Sequence, residues 1–338
     1  MSHPDSAGES TSESTSESTG IASLEDLIRA RLRLALPSQA SQPAGSAVRT
    51  FDVGAAPADT DLAALLAALQ ARYGSAIKAV LLYGSYTRGA RDSLVDLYVL
   101  LDGYPAVVPR WQALANKLLP PNVYQLEANN GVRCKYALLP LRQFVRRLER
   151  DFHSYFWARF AQPCALVYLS DEVSGATLVT GLANAVRRFC VETARAVPAP
   201  CQPDIFWEEG LSRTYSCELR SESGFRARTL VAANAEYLVS LARSWAAELR
   251  NQDANQTIDY PAYPGAWRWG VRRVFGKALS VARLLKAAFT FNDGFEYLLW
   301  KIERHSGVYV EPTPLQRKLP LLFAWPVFWR LYRLGAFR

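Results

Sequence analysis

The chain has 338 residues, half of them apolar and 12% aromatic, and its 39 Lys and Arg against 31 Asp and Glu leave a net charge of +8. That length buries one large core or two modest ones, and the composition is that of a globular protein and too rich in apolar residues for a disordered one. Five scattered cysteines, none in a C-x-x-C pair, and three histidines argue against a disulfide framework or a zinc site and for a reducing compartment.

Residues 1–20 repeat Ser, Glu and Thr with four acids and no Lys or Arg, which predicts an acidic disordered tail and leaves +12 on the rest of the chain. This acidity is unlike a mitochondrial transit peptide, and no basic region followed by an apolar one reads as a secretory signal. Leu24, Leu27, Ile28, Leu32 and Leu34 recur at helical spacing and predict a helix over 22–36, followed by a linker over 37–60. A second helix is expected over 61–73, with Asp59, Thr60 and Asp61 available as caps. Ala79 to Tyr83, Val95 to Leu101 and Val132 to Leu139 read as strands. From about residue 176 the texture turns helical, with helices expected over 176–197, 226–249, 271–289 and 293–304 and a polar loop over 250–266. Residues 267–338 hold thirteen Lys and Arg against four acids. The longest uncharged apolar stretch, Leu319 to Trp329, is broken by Pro320 and Pro326 and falls short of the ~20 residues a spanning helix needs.

Chemistry concentrates between the first two strands. Tyr83-Gly84-Ser85-Tyr86-Thr87-Arg88-Gly89 is a Gly-Ser turn with a following base, and Asp96 lies inside the apolar second strand. A turn of this kind lets backbone N–H groups approach a phosphate with no Cβ in the way. A carboxylate on the next strand can hold the magnesium that bridges such a phosphate, and a buried acid needs a partner of that sort. The layout resembles the DNA polymerase beta-type nucleotidyltransferases, whose usual pattern is Gly-Ser, a spacer and Asp-x-Asp. Leu94 stands where the first of those two acids would be.

Later segments resemble one branch of that superfamily. These are Asn122 to Tyr136, Arg142 to Phe160 with Gln162-Pro163, and Asp204 to Arg220. They are similar in order and spacing to the mitochondrial-type phosphatidate cytidylyltransferases, named for translocator assembly and maintenance. In that family a single strand Asp follows two apolar residues, as in Leu94-Val95-Asp96. A Lys-Tyr-Gly segment is matched by Lys135-Tyr136-Ala137. A Tyr-Ser-Gly-Asp-Phe-Arg segment is matched by Tyr215-Ser216-Cys217-Glu218-Leu219-Arg220. The likeness spans roughly 65–305; Arg88-Gly89, Ala137 and Glu218 depart from the pattern.

The resemblance implies an α+β fold, with a nucleotidyltransferase-type mixed-sheet domain at 61–175 and a mainly helical domain at 176–318. A tail and a helix with linker precede them at 1–20 and 21–60, and an aromatic and basic membrane-contacting segment follows at 319–338. It implies magnesium-dependent transfer of CMP from CTP to phosphatidate, with Gly84, Ser85, Arg88 and Lys286 on the nucleotide and Asp96 and Glu218 on the metal. Lys135 would neutralise phosphate charge and Arg220 would meet the lipid phosphate. A phosphate nucleophile is already anionic near neutral pH, so a site with one strand acid fewer repels it less. The expected partners are CTP, phosphatidate and a membrane surface, with no nucleic acid. The location would be peripheral, at the cytoplasmic membrane of a bacterium or the mitochondrial inner membrane. Two other readings remain open: a nucleotidyltransferase with another acceptor, and an inactive nucleotide- or lipid-binding relative.

Overall fold

The computed structural model describes residues 21–34, 53–54, 57–89, 94–105, 107–219, 223–250, 256–290 and 325–334, with isolated positions between 299 and 316. Among these the chain is α+β, one mixed five-stranded sheet with helices on both faces. Helix α1 (Leu24–Leu34) is followed by α2 (Thr60–Tyr73), whose first turn is capped by Asp59 accepting from the N–H groups of Asp61 and Leu62. Strand β1 (Ile77–Tyr83) and strand β2 (Val95–Leu101) lie where the apolar runs predict them. Helix α3 (Arg110–Leu118), strand β3 (Asn122–Glu127), strand β4 (Arg133–Pro140), helix α4 (Leu141–Arg150), helix α5 (Trp157–Phe160) and strand β5 (Ala165–Leu169) complete the first half.

The strand order is β3-β4-β2-β1-β5, and every neighbouring pair is antiparallel except β2 with β4. Strand β1 is therefore interior, and its apolar run is buried on both faces. Period-2 alternation sorts the side chains. Val80, Leu82, Val95, Leu97 and Val99 pack with Leu62, Leu65 and Leu69 of α2. Ala79, Leu81, Tyr98, Leu100 and Leu139 face the other way, toward α1, α4 and α5.

The second half supplies helices α6 (Glu172–Ala194), α7 (Pro203–Ser216), α8 (Ser223–Ala232), α9 (Ala235–Arg250), α10 (Arg268–Thr290) and α11 (Trp325–Arg333). Helix α6 starts four residues before its expected onset because Asp171 caps it, accepting from the Ser174 N–H. The single helix expected over 226–249 is two, parted at Asn234. Its side chain donates to Leu230 O and accepts from Arg31, a local alternative to continued helix. Most of the helix expected over 293–304, the linker at 37–52 and the 1–20 tail lie outside the described residues.

One apolar core runs from the second sheet face through α1, α6, α7 and α9. Helix α1, read from sequence as preceding the sheet domain, is thus part of the core shared by sheet and helices. Inside that core Glu192 of α6 is buried among Arg188 at 3.5 Å, Arg195 at 3.2 Å, Arg268 at 3.4 Å and Arg272 at 3.0 Å. Arg272 is fully buried, donates to Phe152 O and stacks over Trp269 and Phe152, so α10 is locked to α6. The five cysteines are free thiols, four of them buried. Among the described residues, no helix is long and apolar enough to cross a membrane.

Candidate active site

The Gly-Ser turn leaves the end of β1. Gly84 has φ +87°, in the left-handed region that a side chain disfavours. A one-turn helix over Tyr86–Arg88 follows, ending at Gly89. Thr87 Oγ1 donates to Gly84 O at 2.8 Å and the Arg88 guanidinium donates to the same oxygen at 3.0 Å. The Tyr86 hydroxyl donates to Asp59, tying the turn to the cap of α2. The turn is a fixed element held by its own side chains, and Arg88 is committed in part to holding it.

Register assembles the rest. Asp96 on β2 lies directly across from Tyr83 on β1 and from Lys135 on β4, and Lys135 lies across from Gln125 on β3. Cross-strand partners share a face, so Tyr83, Asp96 and Lys135 form a row on the face that carries Tyr98 and Leu100. The row sits beside the turn: a Cβ on Gly84 would come within 3.0 Å of Asp96 Oδ2. Burial pushes the Asp96 carboxyl up from its ordinary value, and the charges of Lys135 and Arg159 pull it back down. Below the row, the Tyr98 ring packs against Tyr83 at 5.2 Å and Phe160 at 4.7 Å, giving a rigid aromatic floor.

Arg159, on the short helix α5, was not singled out from sequence. Its guanidinium lies over the rings of Tyr83 at 5.2 Å and Tyr155 at 4.9 Å, and it interacts electrostatically with both Asp96 and Glu218. The signal was present in Tyr155-Phe-Trp-Ala-Arg-Phe160: one Arg in an aromatic run, four residues after a Tyr and therefore on the same side of a helical turn. Glu218 follows the C-terminus of α7, where its N–H donates to Tyr215 O. Helix α10 presses on the chain just before it, since a Cβ on Gly276 would lie 2.5 Å from Cys217 O. The structure thus links the sheet acid and the helical-half acid through Arg159. Arg220 lies outside the described residues.

Arg283 of α10 is a second unforeseen cation. It stacks on Tyr155 at 4.0 Å, donates to Pro120 O at 3.0 Å, meets His153 Nε2 at 3.2 Å and interacts with Glu218. His153, held at about 3 by burial and by the charges of Arg283 and Arg147, is neutral there. Lys286, one turn further, donates to Leu119 O, to Pro121 O at 2.7 Å and to Asn122 Oδ1 at 3.0 Å. Burial and Arg283 lower its ammonium to about 7. Asn122 is three residues along β3 from Gln125, so Lys286 anchors the strand about 10 Å from the Asp96 row.

Among the described residues, no three His, Cys, Asp or Glu side chains gather as a metal site. A magnesium ion asks less of the protein, commonly one or two carboxylates with substrate phosphates completing its shell, and the partly buried Asp96 beside the turn fits that demand. The arrangement is a carboxylate next to a phosphate-sized turn, with Lys135, Arg159 and Arg283 nearby: a place for a polyanion and its cation. No protein-family model matches the chain, and a comparison with curated proteins finds no relative.

Proposed function

We propose that the protein is a nucleotidyltransferase that transfers CMP from CTP to phosphatidate, releasing pyrophosphate at a membrane surface. The observation that carries this reading is the row Tyr83–Asp96–Lys135 lying beside the Gly84-Ser85 turn. A phosphate oxygen of the lipid attacks the α-phosphorus of CTP, a new P–O bond forms, and the α–β phosphoanhydride bond breaks to free pyrophosphate. Such transfers rest on alignment and charge stabilisation. Gly84 and Ser85 seat the triphosphate, and Asp96, with Glu218 from the helical half, would hold magnesium, which supplies neutralising charge on the phosphates. Lys135 and Arg159 offset charge on the leaving pyrophosphate, while Arg220 is the candidate for the lipid phosphate. Arg88 backs the turn, and Lys286 acts on the nucleotide through the β3 end that it holds.

The test is purified protein with magnesium, phosphatidate vesicles and each of the four labelled ribonucleoside triphosphates. Label entering the lipid phase with CTP alone is the expected result; no lipid-soluble label with any nucleotide sinks the reading. One observation favours a second reading, a nucleotide-binding relative without turnover. Leu94, in the place of the missing acid, is 38% exposed at the mouth of β2. Magnesium-dependent CTP binding with no product would select it. Strong product formation with another acceptor would select the third reading, a nucleotidyltransferase of different specificity.

A further inference from the structure

Helix α10 has two unlike sides. The inner side carries Trp269, Arg272, Gly276 and Arg283, which reach Glu192, Cys217 and His153. On the outer side Trp267, just ahead of the helix, and Val271, Val274, Ala278 and Val281 fall within roughly 80° of one another at 3.6 residues per turn, with Phe275 at the margin. All six are exposed, Trp267 by 69% and Val274 by 74%. Arg273 and Lys277, also exposed, border this stripe along one edge. From Arg268 to Thr290 the helix has six Lys and Arg and no acid.

Helix α3 carries a second exposed apolar face. Trp111, Leu114 and Leu118 lie on one side of α3 and are all exposed, and the residue after Leu118 gives its carbonyl to Lys286 of α10. Pro120 and Pro121 carbonyls bond Arg283 and Lys286, so the two helices are fastened together at this end. Large apolar residues this exposed, on two helices tied together at one end, mark an interaction surface.

We infer that the outer faces of α10 and α3 seat the protein on an anionic lipid bilayer, with Trp267, Val274 and Trp111 at headgroup depth. An apolar stripe edged by Arg and Lys and lacking acids is the pattern of a helix lying in the membrane interface. A second copy fits less well, because a two-fold pairing of α10 would set Arg273 and Lys277 near their own kind. This placement deepens the proposed reaction by naming the surface that meets the lipid, and it assigns the contact chiefly to α10 and α3. In α11 Val327 and Leu331 are buried with Leu299 and Val310, leaving Trp329 and Tyr332 as a smaller exposed pair.

The experiment is flotation of the full chain with phosphatidylglycerol-containing and with pure phosphatidylcholine vesicles, together with sedimentation and thermal melting. The wild-type chain floats with the anionic vesicles. Val274→Glu with Trp267→Glu cuts that partitioning at least about tenfold with an unchanged melting temperature. Arg273→Glu with Lys277→Glu keeps the stripe and lowers binding by about fivefold per charge removed. Undiminished flotation of both double variants overturns the inference. So does a marked fall in melting temperature for V274E/W267E, which would mean that the chain covers its own stripe, or dissociation of a dimer by that variant. Turnover of a short-chain, water-soluble phosphatidate separates the two ideas. Activity there with no vesicle binding defeats the surface alone, and binding with no activity on either substrate defeats the reaction alone.

Discussion

Asp96 occupies the space beside Gly84: a Cβ placed on that glycine would lie 3.0 Å from Asp96 Oδ2. Turn and acid are built as one unit, and neither can change without the other.

Gly84→Ala meets two penalties, the left-handed φ and the contact with Asp96. Gly89 has nearly the same φ, +85°, with nothing within 4 Å of a Cβ, so Gly89→Ala carries the first penalty alone. In urea unfolding, Gly89→Ala loses about 1 kcal/mol and Gly84→Ala loses more, by at least another ~0.5–1 kcal/mol. Gly84→Ala also weakens magnesium-dependent CTP binding in calorimetry; equal losses for the two variants would show that Asp96 does not constrain the turn.

Asp96→Asn removes a charge that the fold holds at a cost. The folded carboxyl is raised above its ordinary 3.8, so its contribution to stability is full below that pH and is lost as pH rises through the folded value. Wild type therefore loses stability from this group between pH 4 and neutrality, and Asp96→Asn does not. Denaturant midpoints at the two pH values read the difference, which should come with abolished turnover. An Asn variant whose stability falls with pH over this range as much as that of wild type would contradict it.

Arg159 serves two acids at once, so its loss should couple to theirs. Arg159→Ala destabilises by about 2–4 kcal/mol, because Asp96 and Glu218 lose a shared cation within a largely buried site. In a double-mutant cycle, Arg159→Ala with Glu218→Gln shows a coupling of about 1 kcal/mol or more. Strict additivity would break the proposed link between the two halves.

Lys286 should give an alkaline signature. Its folded value of about 7 lies below its ordinary 10.5, so the stability contribution is complete above 10.5 and is lost as pH falls through about 7. Wild-type stability gains from this group between pH 7 and 9, and Lys286→Met abolishes the gain. By the same linkage, any opening of the β3 end that returns the Lys286 side chain to water becomes harder over that range, so amide exchange there should slow as pH rises. Hydrogen exchange at Asn122 and Val123 is the direct readout.

Glu192 meets four guanidinium groups, those of Arg188, Arg195, Arg268 and Arg272. Glu192→Gln leaves these guanidinium groups facing one another in the core and should cost about 3–5 kcal/mol, measured by guanidinium chloride unfolding. The neighbouring Trp269 indole, which donates to Glu192 O, should report the change by fluorescence.

Much of this was legible in the chain itself. The interior strands β1 and β2 were readable because strands buried on both faces are continuous apolar runs, and α2 because Asp59 precedes its first turn. Strand β3 escaped notice because it lies at a sheet edge with Gln125 and Glu127 exposed, so its sequence lacks an apolar run. Strand β5 is only five residues long, too short for a period to show. Gly84, Ser85 and Asp96 stood out because a turn and a buried acid are unusual between apolar strands.

By itself the sequence marked the interior strands β1, β2 and β4, helices α1 and α2 and the helical texture of the second half, since those depend on side-chain type and local period. The tertiary structure alone decided their company. Strand register put Lys135 beside Asp96 across a parallel pair 39 positions apart in the chain, and the packing of α5, α7 and α10 brought Arg159, Glu218 and Arg283 into one electrostatic group. Period and composition carry no information about contacts of that range, because they are set by which apolar faces bury against one another and not by any neighbour along the chain.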